Sequence, residues 1–205
     1  MVRPAIPGAV KLAVKLYMPL PFDRFKQEGD IIGRIVIEYG DLEWDLCLLV
    51  SHVIEDLDIA VKTLYRSRGE TQRIDIADAL IRNRIDPKVK QIYETTLAHI
   101  RVCLTIRNRY AHANWLHAGS DKLCYIDIEE LAKSNAPVDM QNMQLYHLDM
   151  DTVKDQARFF MEVMQNLRYL NMEIQYLMGS STMTGFHYVP NIIRPKMAVK
   201  LDGLA

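Results

Sequence analysis

The sequence has few cysteines, no excess of either charge and no long apolar run. Its 205 residues include three cysteines, 25 basic and 26 acidic side chains. Cys47, Cys103 and Cys124 form no CxxC pair and are odd in number, so we expect buried free thiols rather than disulfides. The net charge of −1 and the 49% hydrophobic content exclude general disorder. They also exclude a protein that coats nucleic acid by bulk positive charge.

The first 20 residues are apolar but interrupted. Pro4, Pro7, Lys11 and Lys15 break the stretch, whereas a secretory signal has an unbroken apolar middle. No apolar run elsewhere reaches the roughly 18–20 residues that a membrane span needs. We therefore expect no secretory signal and a cytoplasmic location.

Apolar residues recur every three or four positions over most of the chain, which is the period of a helix. The pattern predicts a first helix over about 22–68, with Gly40 as a candidate break, and a short helix over 74–81. A further helix follows Pro87, and a last one runs from about Asp151 to Gly179. The candidate N-caps of this last helix are Asp149, Asp151 and Thr152.

The period changes between the last two helices. Residues 123–128 and 144–148 read as two short strands, so we expect a small β-hairpin inserted over about 121–149. The predicted fold is mainly all-α: a bundle of about four main helices over 22–179, with this hairpin insertion. An N-terminal extension, 1–21, and a C-terminal tail, 180–205, flank it. The tail has no period, and we expect it to be mobile or draped on a partner.

Charge is segregated along the chain. Residues 38–58 carry seven acidic side chains and no lysine or arginine, whereas 66–109 carry ten basic and five acidic ones, a net charge of +5. One interpretation is a solvated helix surface balanced by the acidic segment beside it. The other is a patch that binds phosphates, because arginine binds phosphate in a bidentate manner. Glu43 and Asp45 are candidate partners for Arg107 within this arrangement.

The apolar stripe of the helix after Pro87 runs into polar residues. Leu97, Ile100 and Leu104 lie on one stripe, and the next positions on it are Arg107 and Asn108. An inward arginine is costly unless its charge is paired or bound to an anion. This end of the helix is therefore the candidate site.

His112 follows Asn108 by four residues and shares its face if the helix continues. Histidine exchanges protons near neutral pH and arginine stabilises a phosphate in the transition state. This set suits RNA cleavage in which the ribose 2'-hydroxyl attacks the adjacent phosphate, a reaction that requires no metal. The candidate catalytic residues are Arg107, Asn108 and His112, with Arg109 and Arg101 as candidate substrate-binding residues.

These residues resemble the motif of the HEPN superfamily of small helical proteins. That motif is an arginine, often followed by a polar residue, with a histidine after four to six intervening residues. Arg107, Asn108 and His112 fit it with four intervening residues, and the resemblance covers about two thirds of the chain, 41–179. It implies a helical bundle and a metal-independent endoribonuclease without a cofactor, in a toxin–antitoxin, antiviral or RNA-processing role. It also implies a homodimer with the two motifs facing each other, an RNA substrate, and an antitoxin or regulatory protein as a further partner.

Alternatives to catalysis stay open at this point. Some members of the superfamily have lost catalysis, so the chain is alternatively a non-catalytic dimeric interaction or regulatory module. The Arg–Asn–His set is alternatively a structural cluster that caps the helix. A third alternative is recognition of a nucleotide or nucleotidyl group at the same motif.

Overall fold

The computed structural model describes residues 20–116, 122–133, 135, 137, 144–180 and 187–200. These residues form seven helices and one small antiparallel sheet of four strands. The mainly helical fold with a small β insertion is therefore confirmed. Most of the predicted N-terminal extension, part of the insertion and part of the C-terminal tail lie outside the described residues.

Three long helices form the body of the bundle. They are α2 (Lys26–Ile54), α5 (Pro87–His112) and α7 (Met150–Leu177). Each buries an apolar stripe at helical spacing, and α2 packs against both α5 and α7. All three cysteines are free and buried. None of the helices in the described part of the chain is both long and apolar enough to cross a membrane.

The predicted first helix is three helices, and neither break is at Gly40. α2 ends at Ile54 because Glu55 adopts a left-handed backbone conformation, with a φ of 58°. Asp56 then caps α3 (Leu57–Tyr65), its side chain accepting a hydrogen bond from the Ile59 backbone N–H at 2.8 Å. A short α1 (Pro21–Arg24) precedes α2 and packs on its first turns.

Between α3 and α5 lies α4 (Glu70–Ile81), which begins four residues before the predicted start. It packs against α2 and α5. α5 begins where expected, with Pro87 in its first turn and the Asp86 carboxylate accepting from the Lys88 N–H at 2.8 Å. α5 ends at His112, because Ala113 has the extended backbone of a strand.

The sheet follows directly from the end of α5. Its strands are β1 (Ala113–Leu116), β2 (Leu123–Asp127), β3 (Leu145–Leu148) and β4 (Val199–Lys200), paired in that order and all antiparallel. A short α6 (Ile128–Lys133) follows β2. The predicted strands are β2 and β3. β1, which continues directly from α5, and β4, which is only two residues long, were not predicted.

The C-terminal segment 187–200 packs on α7 and on the sheet of its own chain. Asn166 of α7 donates to the Val189 carbonyl at 3.0 Å and accepts from the Val189 N–H at 2.7 Å. Gln156 of α7 donates to the Lys196 carbonyl at 2.8 Å, and β4 then pairs with β3. α7 thus supplies the polar groups that the backbone of this segment needs. That the tail is mobile or bound to a partner stays a prediction.

Candidate active site

The last two turns of α5 present the motif residues on two different faces. At about 100° per residue, Asn108 and His112 are about 40° apart around the helix, whereas Arg107 and His112 are about 140° apart. The structure follows this geometry. Asn108, Arg109 and His112 line an open cleft of about 610 Å³, and Arg107 does not.

We call this feature the α5 cleft. Its floor is the end of α5, and its walls come from β2, α6, β3 and the C-terminal segment; it is lined by Thr105, Asn108, Arg109, His112, Asp127, Glu129, Glu130, Lys133, Tyr146, Met197, Ala198 and Lys200. Residues from 105 to 200 therefore meet in one place. Sequence spacing identified only the part of this lining that α5 contributes.

The α5 cleft carries three basic and three acidic side chains besides His112. Each cation faces one carboxylate at a long distance: Arg109 to Asp127 at 3.6 Å, Lys133 to Glu129 at 3.8 Å and Lys200 to Glu130 at 3.7 Å. Direct N–H···O hydrogen bonds are 2.7–3.2 Å long. None of these three cations therefore makes a short ion pair with a carboxylate of the cleft.

Arg107 is held on the opposite side of α5. Its Nη1 lies 2.7 Å from Glu70 Oε1 of α4 and donates to Asn108 Oδ1 at 2.8 Å. The guanidinium also lies over the ring of Tyr39, 5.6 Å from the centroid. The charge of this inward arginine is therefore paired within the chain by Glu70 rather than by Glu43 or Asp45, while its buried Nε has no hydrogen-bond partner among the described residues.

The two other candidate partners bind different arginines. Glu43 accepts from Arg73 Nη1 with both carboxylate oxygens, at 3.0 and 2.9 Å. Asp45 pairs with Arg168 of α7 at 2.8 Å. Burial raises the pKa of both carboxyls, and the arginine beside each one opposes the shift.

Arg101 also lies outside the α5 cleft. It pairs with Asp75 of α4 at 2.9 Å, on the side of α5 that faces α4. In the segment 66–109, five of the ten basic residues make ion pairs with acidic side chains; they are Arg73, Arg82, Arg101, Arg107 and Arg109. This pairing favours the interpretation of a helix surface balanced within the chain over a continuous phosphate-binding patch.

Asn108 links the two faces. Its Oδ1 accepts from Arg107, so the two N–H groups of the same amide are the donors that it offers to the cleft. His112 is exposed at the end of α5 and can exchange a proton with a bound molecule. The Tyr146 hydroxyl donates to Glu130, and burial raises the pKa of Tyr146 to about 12, so this phenol stays protonated at neutral pH.

Lys133, Lys200 and Tyr146 are among the lining residues that sequence reasoning missed. No spacing rule connects them with His112, because β-strand pairing and the C-terminal segment bring them there. Among the described residues, no group of three or more His, Cys, Asp or Glu side chains is arranged to hold a metal ion. Comparison with family models, curated proteins and solved structures finds no match for this chain.

Proposed function

We propose that this chain is a metal-independent endoribonuclease of HEPN type that cleaves RNA in the α5 cleft. The observation that carries the proposal is that His112, Asn108 and Arg109 line one cleft. A proton-exchanging group, two amide donors and a cation therefore surround a single space. In this proposal the protein acts in the cytoplasm as a homodimer. Its role is that of a toxin or a defence protein, and its partner is an antitoxin or a regulatory protein.

The reaction requires one attack and one departure at phosphorus. The 2'-oxygen bonds to phosphorus as it loses its proton, the bond to the 5'-oxygen breaks, and that oxygen takes up a proton. The products are a 2',3'-cyclic phosphate and a 5'-hydroxyl end. In this proposal His112 exchanges one of these protons, with water as the other proton carrier.

The charge that develops on the phosphate requires donors inside the cleft. Arg109 and the amide of Asn108 are placed for this role by their position in the lining. Arg107 then acts as a positioning residue, because its hydrogen bond at 2.8 Å directs the Asn108 oxygen away from the cleft. Lys133 and Lys200 would contact neighbouring phosphates of the strand.

Asn108→Asp is the sharpest test of this assignment. Aspartate keeps an oxygen for Arg107 but replaces both amide donors with a negative charge in the cleft. We expect RNA cleavage in EDTA to fall at least about 100-fold, as for loss of a transition-state donor, while stability stays unchanged. His112→Ala should lower the rate of RNA cleavage by a similar factor.

Lys90→Ala, at the exposed opposite end of α5, is the control and should cleave at the wild-type rate. Growth of cells expressing each variant is measured alongside, since a specific RNA target can be missing in vitro. If Asn108→Asp and His112→Ala both cleave RNA at the wild-type rate, the assignment of the site is wrong. A wild type that neither cleaves RNA nor slows growth would remove the proposed activity.

A second candidate function is a non-catalytic interaction or regulatory module. The tight pair between Arg107 and Glu70 at 2.7 Å favours it, because the first residue of the motif is already neutralised by its own chain. In this case Arg107→Ala and Glu70→Gln lower the stability by similar amounts, neither variant changes any RNA cleavage, and affinity capture isolates a protein. Thermal unfolding and the cleavage assay on the same preparations separate the two functions.

A further inference from the structure

One face of α2 is exposed although it carries large apolar side chains. We call it the α2 face, and define it by residues that fall within about 120° of the helix circumference: Gly33, Arg34, Ile37, Gly40, Asp41 and Trp44. Ile37 is 77% exposed and Trp44 is 43% exposed. None of these residues lines the α5 cleft. Nothing in the described part of the chain covers this apolar surface.

The two glycines of this face are not needed for close packing against any described part of the chain. At Gly29, a neighbouring position on α2, an added Cβ would lie 2.9 Å from the Phe22 ring, so close packing of α1 explains that glycine. At Gly33 and Gly40 an added Cβ would meet nothing within 4 Å among the described residues. A glycine inside a helix costs about 1 kcal/mol relative to alanine. Two such residues beside an exposed isoleucine are explained if another helix approaches this backbone closely.

The charges on the α2 face are complementary to themselves. Arg34 and Asp41 lie three residues before and four residues after Ile37, and neither forms an ion pair with another described residue. If a second α2 crosses antiparallel with a twofold axis beside Ile37, each Arg34 faces Asp41 of the other copy. The same arrangement places Trp44 of each copy over the gap left by Gly33. A twofold interface requires this kind of self-complementarity.

We propose that the α2 face is a homodimer interface, in which two copies of α2 pack antiparallel about Ile37 with reciprocal Arg34–Asp41 pairs. The inference assigns an interface to the homodimer of the proposed function, and it does not depend on the ribonuclease activity. It concerns a surface separate from the cleft, and its readout is oligomeric state rather than cleavage.

A pair of charge reversals tests the register. In Arg34→Glu alone both reciprocal pairs become acid against acid, and in Asp41→Arg alone both become base against base. We expect each variant to raise the dimer dissociation constant about tenfold or more, because like charges then face each other twice. When the two variants are mixed, each heterodimer regains two attractive pairs, so the affinity should return to within about threefold of wild type.

Sedimentation velocity over a range of concentrations measures the dimer dissociation constant of the wild type, of each single variant and of their mixture. One variant is fluorescently labelled for the mixture. Met161→Glu, which replaces a 60% exposed methionine on α7, is the control and should dimerise as the wild type does. Circular dichroism verifies that each variant is folded. A wild type that is monomeric up to high micromolar concentration overturns the interface. Single variants that dimerise normally, or a mixture that fails to recover, overturn the antiparallel register.

Discussion

His112 and His99 lie on the same helix in opposite environments. His112 is exposed at the end of α5, where a bound molecule can reach it. His99 is 8% exposed, and its ring meets the edge of Phe159 with centroids 5.4 Å apart. Burial lowers the pKa of His99, and the nearby charge of Arg194 lowers it further. The same residue type is therefore chemically available at one position and kept neutral by the fold at the other.

The buried histidine predicts a pH dependence of stability. Because its pKa is lowered in the folded chain, the unfolded chain binds more protons as the pH falls through the ordinary pKa near 6.5. His99 therefore lowers the free energy of unfolding below that pH and has no such effect above it. We expect His99→Phe, which keeps the aromatic contact, to reduce the fall in free energy of unfolding between pH 7.5 and 5.5.

Urea titrations at the two pH values measure this difference. Burial also lowers the pKa of His52, so some of the fall should remain in the variant. Glu43 and Asp45, whose pKa values are raised, contribute with the opposite sign and are common to both proteins. If the fall is identical in the variant and the wild type, His99 is not a source of the acid sensitivity.

At the scale of the element, short polar side chains decide where helices begin. The sequence offered three candidate caps for α7, and the structure selects Asp149, whose carboxylate accepts from the Thr152 N–H at 2.7 Å. Hydrogen bonds from the backbone N–H and the side chain of Thr152 lower the pKa of Asp149. The choice depends on which residue has an extended backbone just before the first turn, and β3 fixes that by ending at Leu148.

Removal of this cap should weaken the protein measurably. We expect Asp149→Ala to lower the free energy of unfolding by about 1 kcal/mol at pH 7. Because the pKa of Asp149 is lowered by folding, its contribution is present above the ordinary pKa and is lost as the pH falls through the folded value. The difference from wild type should therefore shrink in strong acid.

Asp151→Ala is the matched control, since Asp151 lies in the same first turn but does not cap it. Its expected cost is a few tenths of a kcal/mol, from the helix dipole alone. Equal losses in the two variants, measured by urea unfolding at pH 7, would contradict the assignment of the cap.

At the scale of the whole molecule, the C-terminal segment completes the α5 cleft. Met197, Ala198 and Lys200 are part of the lining, although they follow His112 by more than 80 residues. The segment is anchored at Val189 by both hydrogen bonds of the buried Asn166 side chain. The C-terminal side of the cleft is therefore held in part by this amide, beside Gln156 of α7 and the pairing of β4 with β3.

Asn166→Ala should release this anchor. The half-buried Val189 N–H and carbonyl lose their partner, and the cost is at most the roughly 1–3 kcal/mol of a fully buried unsatisfied group. We expect lower stability and faster hydrogen exchange at the Val189 amide. Gln165→Ala, which removes a single exposed hydrogen bond to the His187 carbonyl, is the control and should change both quantities much less. Unchanged exchange at Val189 in Asn166→Ala would rule out the anchor.

The sequence by itself determined the helical class, the two central strands and the position of the polar end of α5. Periodicity reports which side chains are buried, and burial along one element is a local property. The sequence also determined that Arg107 and His112 lie on different faces of α5, because they are five residues apart along the helix. The break at Glu55 was not readable, since a left-handed residue other than glycine leaves no signal in the pattern.

Only the tertiary structure decided which charges meet. Spacing suggested Glu43 or Asp45 for Arg107, and the packing of α4 on α5 supplied Glu70 instead. Likewise, Arg101 lies outside the cleft because it pairs with Asp75 of α4. Lys133 and Lys200 line the cleft because α6 and the C-terminal segment pack beside the end of α5. Ion pairs and clefts join residues that are distant along the chain, so their partners depend on how whole elements pack. The spacing of residues along the chain does not show how these elements pack.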